Sequence, residues 1–311
     1  MVDLKIGILG CGRMGRERAR CVRALGARIH MVFDIDFERA CQLGEEFGAT
    51  VAKSPEECFS NRLAAVFVCV APGARGRLEI ESIDAGIPVF VEKPIGVSVE
   101  SSLPLLKRLR ERPVVNAVGY MNRYRSSVRM ARDRLQKASV IGLSAHWVCK
   151  RYGVSWWDVD QLSGGPHNEQ ATHLFDLSRF LLGEIVEIDS RAESPRRVSS
   201  TFRFESGALG TALYSCEAQS KDIGVRIFTQ EGTIALIGWD FQLAENTIDS
   251  ELFETDEDVF LVETQAFLEA VRQEKQELVR SDFEDALRTQ QVMDACRKSS
   301  MTRQHPSAVR V

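Results

Sequence analysis

The chain has 311 residues, 44% of them hydrophobic and 27% charged, with a formal net charge of −4. That length suits two domains, because a single core stops growing at roughly 250–300 residues. The mild acidity and ordinary composition exclude a strongly basic nucleic-acid surface, and no apolar run approaches the roughly 20 residues a membrane span needs.

The first strand is predicted at Leu4–Leu9, which leaves no room ahead of it for a secretory leader. Eight cysteines are scattered through the chain with no C-x-x-C pair and no histidine at metal-ligand spacing. They read as reduced thiols of a cytoplasmic protein, and no metal site is expected. Cys11, Cys21 and Cys69 lie in apolar stretches and read as small core residues.

Short β-branched runs follow at Ala27–Phe33, Ala64–Val70, Pro88–Val91 and Val114–Tyr120. Between them lie helical stretches at Gly15–Leu25, Asp36–Phe47, Arg75–Ala85 and Val99–Glu111. Strand–helix alternation on this scale implies a doubly wound parallel sheet, and unbroken apolar strands imply a sheet covered on both faces. Arg16, Arg18, Arg20 and Arg23 have helical spacing and read as a solvated helix face. This α/β domain is taken as residues 1–121.

Residues 122–311 read as an α+β domain. A helix near Ser126–Gln136 precedes a strand at Ile141–Cys149 and a loop holding Trp156, Trp157 and Gly164-Gly165-Pro166. A helix then runs from about Asn168 to Leu182 and stops at Gly183. From about 185 to 244 apolar residues alternate with period two, with turns at Glu205-Ser206-Gly207 and Glu231-Gly232. This predicts a large, mostly antiparallel open sheet. Helices near Thr264–Gln273 and Asp282–Lys298 close the chain, the last expected near the junction of the domains.

The segment Gly10-Cys11-Gly12-Arg13-Met14-Gly15 follows a strand and opens a helix. It matches G-x-G-x-x-G, in which the first glycine makes the turn, the second admits a pyrophosphate and the third packs helix on strand. Free N–H groups of the helix start then face the anion. The next strand ends at Asp34, an acidic residue placed to accept hydrogen bonds from the adenosine ribose. A carboxylate there repels a 2′-phosphate, which favours NAD over NADP; Arg13 could serve a phosphate and keeps NADP as the alternative.

Lys93 stands in Glu92-Lys93-Pro94, at the carboxyl end of the Val89–Val91 run. Such a lysine points into a ligand crevice, where proton transfer is within its chemistry, or else pairs with Glu92 at the surface. Position alone leaves both open. Further on, Glu169 and His173 are four residues apart and share a helix face with Asp176. A carboxylate beside an imidazole suits acid–base work near neutral pH, although a histidine on a helix is more often a capped or core residue.

Together these motifs resemble the Gfo/Idh/MocA oxidoreductases, relatives of glucose–fructose oxidoreductase and inositol dehydrogenase. The resemblance rests on the glycine loop, Asp34, Ala71-Pro72 and Ala85–Pro94. It continues through Gly119–Tyr124, the Gly164-Gly165 loop, the His173 helix and the closing helices. It implies cofactor contacts at Gly10, Cys11, Gly12, Arg13, Met14, Gly15, Asp34, Ile35, Ala71, Pro72, Glu92 and Lys93. It implies that Lys93 meets substrate and nicotinamide and that His173 is the acid/base on a substrate hydroxyl. Glu169, Asn122, Arg123 and Trp157 are expected to bind substrate, the tryptophan by stacking on a sugar ring; Tyr152 and Trp156 could join them. Arg125 and Arg151 could instead take an acidic substrate group.

Three departures from the family pattern stand out. Pro166 replaces a third glycine, Glu169 replaces aspartate, and Ala71–Arg77 lacks the usual histidine. His167 is an additional imidazole near the expected pocket. The expectation is an NAD(P)-dependent dehydrogenase of a sugar, polyol or inositol-like alcohol, forming a homodimer or homotetramer through its open sheet. The alternatives are an enzyme that recycles tightly bound NAD, or a non-catalytic NAD-binding sensor.

Overall fold

The computed structural model describes residues 4–245 and 257–302. They form two compact units. The first comprises residues 4–124, 159–164 and 257–288; the second comprises 125–158, 165–245 and 289–302.

The first unit begins with β1 (Lys5–Leu9), α1 (Arg13–Ala24), β2 (Arg28–Phe33), α2 (Phe37–Phe47), β3 (Thr50–Val51) and α3 (Pro55–Phe59). It continues through β4 (Ala65–Val68), α4 (Arg77–Asp84), β5 (Val89–Val91), α5 (Val99–Glu111) and β6 (Asn116–Val118). The strands are parallel in the order β3-β2-β1-β4-β5-β6, so the strand order reverses between β1 and β4. Ligands of such sheets bind at that switch point, outside the carboxyl ends of the strands.

Alternating residues bury on opposite faces. Leu9, Val66, Val68, Val89 and Val91 belong to one apolar cluster; Ile6, Ile8, Phe67 and Phe90 belong to another. The sheet is therefore covered on both sides, as its unbroken apolar strands require. Part of the cover comes from far along the chain. Phe267 of α9 (Val259–Gln273) packs edge-on against Phe67 and Phe90, at 5.4 and 5.5 Å between centroids. Phe283, Ala286 and Leu287, at the start of α10 (Phe283–Thr302), join the opposite cluster.

The second unit is built on a seven-stranded sheet. Its elements are α6 (Ser126–Leu135), β7 (Val140–Lys150), α8 (Gly165–Leu182) and β8 (Ile185–Ser194) to β13 (Gln242–Glu245), while α7 (Asp160–Ser163) belongs to the first unit. Between β8 and β13 lie β9 (Arg197–Phe204), β10 (Leu209–Ser215), β11 (Glu217–Thr229) and β12 (Thr233–Ile237). The order is β13-β12-β11-β7-β10-β9-β8, antiparallel except where β10 runs parallel to β7. One face packs Phe202, Phe204, Val225 and Ile227 with α8 into a single core. On the other, Leu209 is 64% exposed and Leu213, Phe228 and Ile237 are exposed as well. No helix among the described residues is long and apolar enough to cross a membrane.

Candidate active site

The glycine loop has the geometry of a phosphate cradle. Gly10 has φ of +93°, and a Cβ there would lie 2.7 Å from the Cys69 carbonyl carbon. A Cβ at Gly15 would collide with the Gly10 carbonyl oxygen, so close helix–strand packing requires glycine. A Cβ at Gly12 would meet nothing within 4 Å, which leaves its backbone open to a ligand. Gly12 caps α1 without a side-chain bond, so the N–H groups of the first turn face outward. Arg13 and Met14 begin that turn. Cys11 is buried, and burial, with the charge of Asp34 adding to it, pushes its thiol up to about 12. It is a packed thiol, not a nucleophile.

Asp34 directly follows β2. One carboxylate oxygen accepts the Cys11 backbone N–H at 2.7 Å and the other accepts that of Asp36 at 2.9 Å. Arg39 stands 3.7 Å away. The carboxylate is thus oriented beside the cradle, and its remaining lone pairs can receive ribose hydroxyls. Ile35, next to it, is 97% exposed. The residues present fit a dinucleotide: cradle, helix start and ribose acceptor all lie on the β1–α1–β2 unit.

Lys93 lies at the carboxyl end of β5 and is half-buried. Its neighbour Glu92 accepts from Arg18 Nε at 2.7 Å, and the same guanidinium reaches Glu263 at 2.6 Å and the Thr264 hydroxyl at 3.2 Å. Arg18 is fully buried over the Phe90 ring, 4.4 Å from its centroid. Burial opposes its charge, yet Glu92 and Glu263 more than offset this and hold its pKa above the ordinary value. Arg18 therefore does not belong to a solvated face, unlike exposed Arg16, Arg20 and Arg23. Glu92 is committed to Arg18. Gly119 passes so close that a Cβ would lie 3.0 Å from the Glu92 carboxylate. Ala71 caps a 3-10 turn, Pro72–Ala74, just past β4.

In the second unit, α8 is tied down along its length. Tyr214 donates to the Pro166 carbonyl at 2.9 Å, Gln290 to Asn168 at 2.9 Å and Thr289 to Asp176 at 3.3 Å. His173 is buried and stacks on Trp147, 5.0 Å between centroids at 9°. Trp147 meets Trp239 edge-on at 5.9 Å. Trp157 Nε1 donates to Glu169 at 2.9 Å. The imidazole and the carboxylate are thus held by separate tryptophans, and no sequence signal marked Trp147 or Trp239.

Several residues expected at the substrate are engaged elsewhere. Trp157 is buried edge-on against Tyr152, so it has no open face for a sugar; its role is to hold Glu169. Arg123 is buried, paired with Asp285 at 2.6 Å and bonded to the Arg280 carbonyl at 2.7 Å, so its donors serve the fold. Asn122 is buried in the 3-10 turn Met121–Tyr124. Arg125 pairs with Asp240 at 3.2 Å and Arg151 with Asp158, which engages both charges within the protein. His167 packs between Phe175 and Tyr214 and reaches the Cys296 sulfur at 3.7 Å. Burial, assisted by Arg297, pushes it down to about 3.

Two family models match the chain. The NAD-binding Rossmann-fold domain of the oxidoreductase family covers residues 4–120, and its C-terminal alpha/beta domain covers 139–309. The chain belongs to the Gfo/Idh/MocA oxidoreductase family. Its first unit carries the family's NAD-binding fold, and NAD is its cofactor. Among curated relatives, scyllo-inositol 2-dehydrogenase (NAD(+)) of Bacillus subtilis is 27% identical over 228 residues, 71% of this chain and 66% of the relative. Myo-inositol 2-dehydrogenase of Thermotoga maritima is 24% identical over 271 residues, 82% of this chain and 79% of the relative. The chain thus aligns with about two thirds or more of each. Among solved structures, UDP-N-acetylglucosamine 3-dehydrogenase of Acidithiobacillus ferrooxidans has the same fold, with a TM-score of 0.86. It is 20% identical, over 96% of this chain and 99% of that one.

Proposed function

We propose that this family member is an NAD-dependent dehydrogenase of a sugar, polyol or inositol-like alcohol. The observation that carries the reading is the Glu92-Lys93-Pro94 segment. Glu92 is committed to a buried ion pair with Arg18, and Lys93 directly follows it, half-buried at the carboxyl end of β5 in the sheet that carries the glycine cradle. NAD, when bound, accepts the hydride from a CH–OH carbon. Gly10, Gly12 and the start of α1 would hold its pyrophosphate, and Asp34 would hold the adenosine ribose and disfavour a 2′-phosphate. His173 serves as acid/base on the substrate hydroxyl, and Lys93 supplies positive charge and proton exchange for the reaction. Glu169, steadied by Trp157, binds a neighbouring hydroxyl. The same groups return the proton in the reverse reduction.

The test is Lys93→Ala, assayed with a panel of inositols, sugars and keto-sugars. Turnover should fall by about 10²-fold or more, the range of general acid–base catalysis, while NAD still binds. Unchanged turnover overturns the assignment. Product formed without net NADH release would point to a recycled cofactor, and NAD binding without turnover of any compound to a sensor. The names of the inositol dehydrogenase relatives support the substrate class. We further infer that the exposed sheet face around Leu209, Leu213, Phe228 and Ile237 pairs with a second copy of the chain, since exposed apolar side chains gathered on one sheet face mark an interaction surface.

A further inference from the structure

Beyond the sheet bond from the Glu92 N–H to the Val68 carbonyl, the backbone around Lys93 is held by a residue outside the Glu-Lys-Pro motif. Arg75 lies just past the 3-10 turn Pro72–Ala74, in the stretch where the family's usual histidine is missing. Its Nε and Nη2 donate to the Val70 carbonyl at 3.2 and 2.9 Å. Its Nη1 donates to the carbonyls of Glu92 and Pro94, the residues on either side of Lys93. One planar guanidinium thus ties the exit of β4 to the Glu92–Lys93 peptide unit and to the Pro94–Ile95 peptide unit beyond the lysine, a fork that a point-charge lysine could not reproduce.

A second group supports the fork. Glu79, in the first turn of α4, is fully buried and accepts the Gly76 N–H at 2.6 Å. Burial raises its pKa, and the nearby charge of Arg75 is the foremost influence in the opposite direction. Arg75 is therefore half-buried, bonded to three carbonyls and near the buried Glu79 carboxylate.

We propose that Arg75 is a positioning residue for Lys93: it couples the Ala71–Pro72 loop to the Glu92–Pro94 segment and so sets where the lysine ammonium stands. Arg18 fixes the Glu92 side chain; Arg75 fixes the main chain. This rests on the assignment of Lys93 to the reaction, and the experiment separates the two claims. Because a displacement of about 1 Å can cost on the order of 10²-fold in rate, Arg75→Met should lower kcat by about 10- to 100-fold. NAD affinity should be kept.

The measurement is a double-mutant cycle of Arg75→Met and Lys93→Ala, with NAD and myo-inositol or whichever panel compound is turned over. Hydrogen exchange is followed in peptides spanning 90–97 and, as a control, α2. If Arg75 acts through Lys93, its loss costs little further in the Lys93→Ala background, exchange accelerates across 90–97 but not in α2, and guanidinium ion partly restores Arg75→Ala. Multiplicative effects of the two substitutions, or unchanged exchange across 90–97, overturn the proposal. If Lys93→Ala alone leaves turnover intact, the reading of Lys93 has failed, while the exchange data still decide whether Arg75 braces the segment.

Discussion

Replacing Arg18 with methionine keeps an apolar stem of roughly the aliphatic length of arginine and removes the guanidinium and its charge. In the structure that one guanidinium serves two carboxylates, Glu92 at 2.7 Å and Glu263 at 2.6 Å, all three side chains being buried. Its removal leaves both carboxylates in an apolar setting beside Phe90. Breaking a single buried pair costs about 3–5 kcal/mol, mostly through the uncompensated charge left behind. With two pairs sharing one cation, the expected loss lies near the upper end, about 5 kcal/mol. For a unit of this size each kcal/mol lowers the thermal midpoint by about 2–4 °C, so the midpoint should fall by about 10–20 °C. The assay is thermal unfolding followed by circular dichroism at fixed pH, on Arg18→Met and on the triple variant that adds Glu92→Gln and Glu263→Gln. The triple variant removes the stranded charges and should recover most of the loss. A single variant within about 1 kcal/mol of the parent, or a triple variant no better than the single, would refute the argument that the cost is unpaired buried charge.

Asp34→Ala removes the proposed ribose acceptor; hydrogen bonds to a charged group contribute about 1.5–3 kcal/mol, so NAD should bind about 10- to 100-fold more weakly and the NADP-to-NAD preference should rise, as read by fluorescence titration with each cofactor. His167 has its pKa pushed down to about 3 from 6.5, so the unfolded chain takes up its proton first as pH falls. The stability this gives is complete above about pH 6.5 and is lost on acidification towards pH 3, at up to about 1.4 kcal/mol per pH unit. Urea unfolding at a series of pH values should show a shallower acid slope for His167→Phe, and an unchanged slope would count against an imidazole held neutral by its packing. Leu209→Lys combined with Leu213→Lys should shift the mass measured by light scattering towards the single chain without loss of secondary structure; an unchanged mass would mean that this face is not the interface.

What could be read from the sequence divides by the range of the interaction. The glycine loop was legible because part of its constraint is local: the left-handed turn is set by the Gly10 backbone itself and Gly15 packs on Gly10, five residues away, although Gly10 also backs onto Cys69, far along the chain. The period-two stretch likewise announced the second sheet, since Phe202 and Phe204 bury while Leu209 and Leu213 do not. The two arginines around Lys93 were harder to see. Arg18 did leave a trace, for it shares the i, i+3, i+7 stripe of α1 with Gly15 and Val22, both buried, whereas Arg16, Arg20 and Arg23 fall off it. The stripe says that Arg18 faces inward. It could not name the partners, because Glu92 lies 74 residues away and Glu263 lies 245 away. Arg75 left no trace, since its acceptors are backbone carbonyls, which every residue possesses. Trp157 was misread for a related reason: composition reports an aromatic surface, and only the fold shows that its N–H is turned to Glu169 and its ring enclosed. A motif therefore points to a candidate residue when the chemistry proposed for it depends on the residue's own type. It is silent on the residues that hold it in place, because these act through long-range pairs and main-chain atoms. Around Lys93 those silent residues are both arginines, and that is where substitutions outside every recognisable motif should weigh most on turnover.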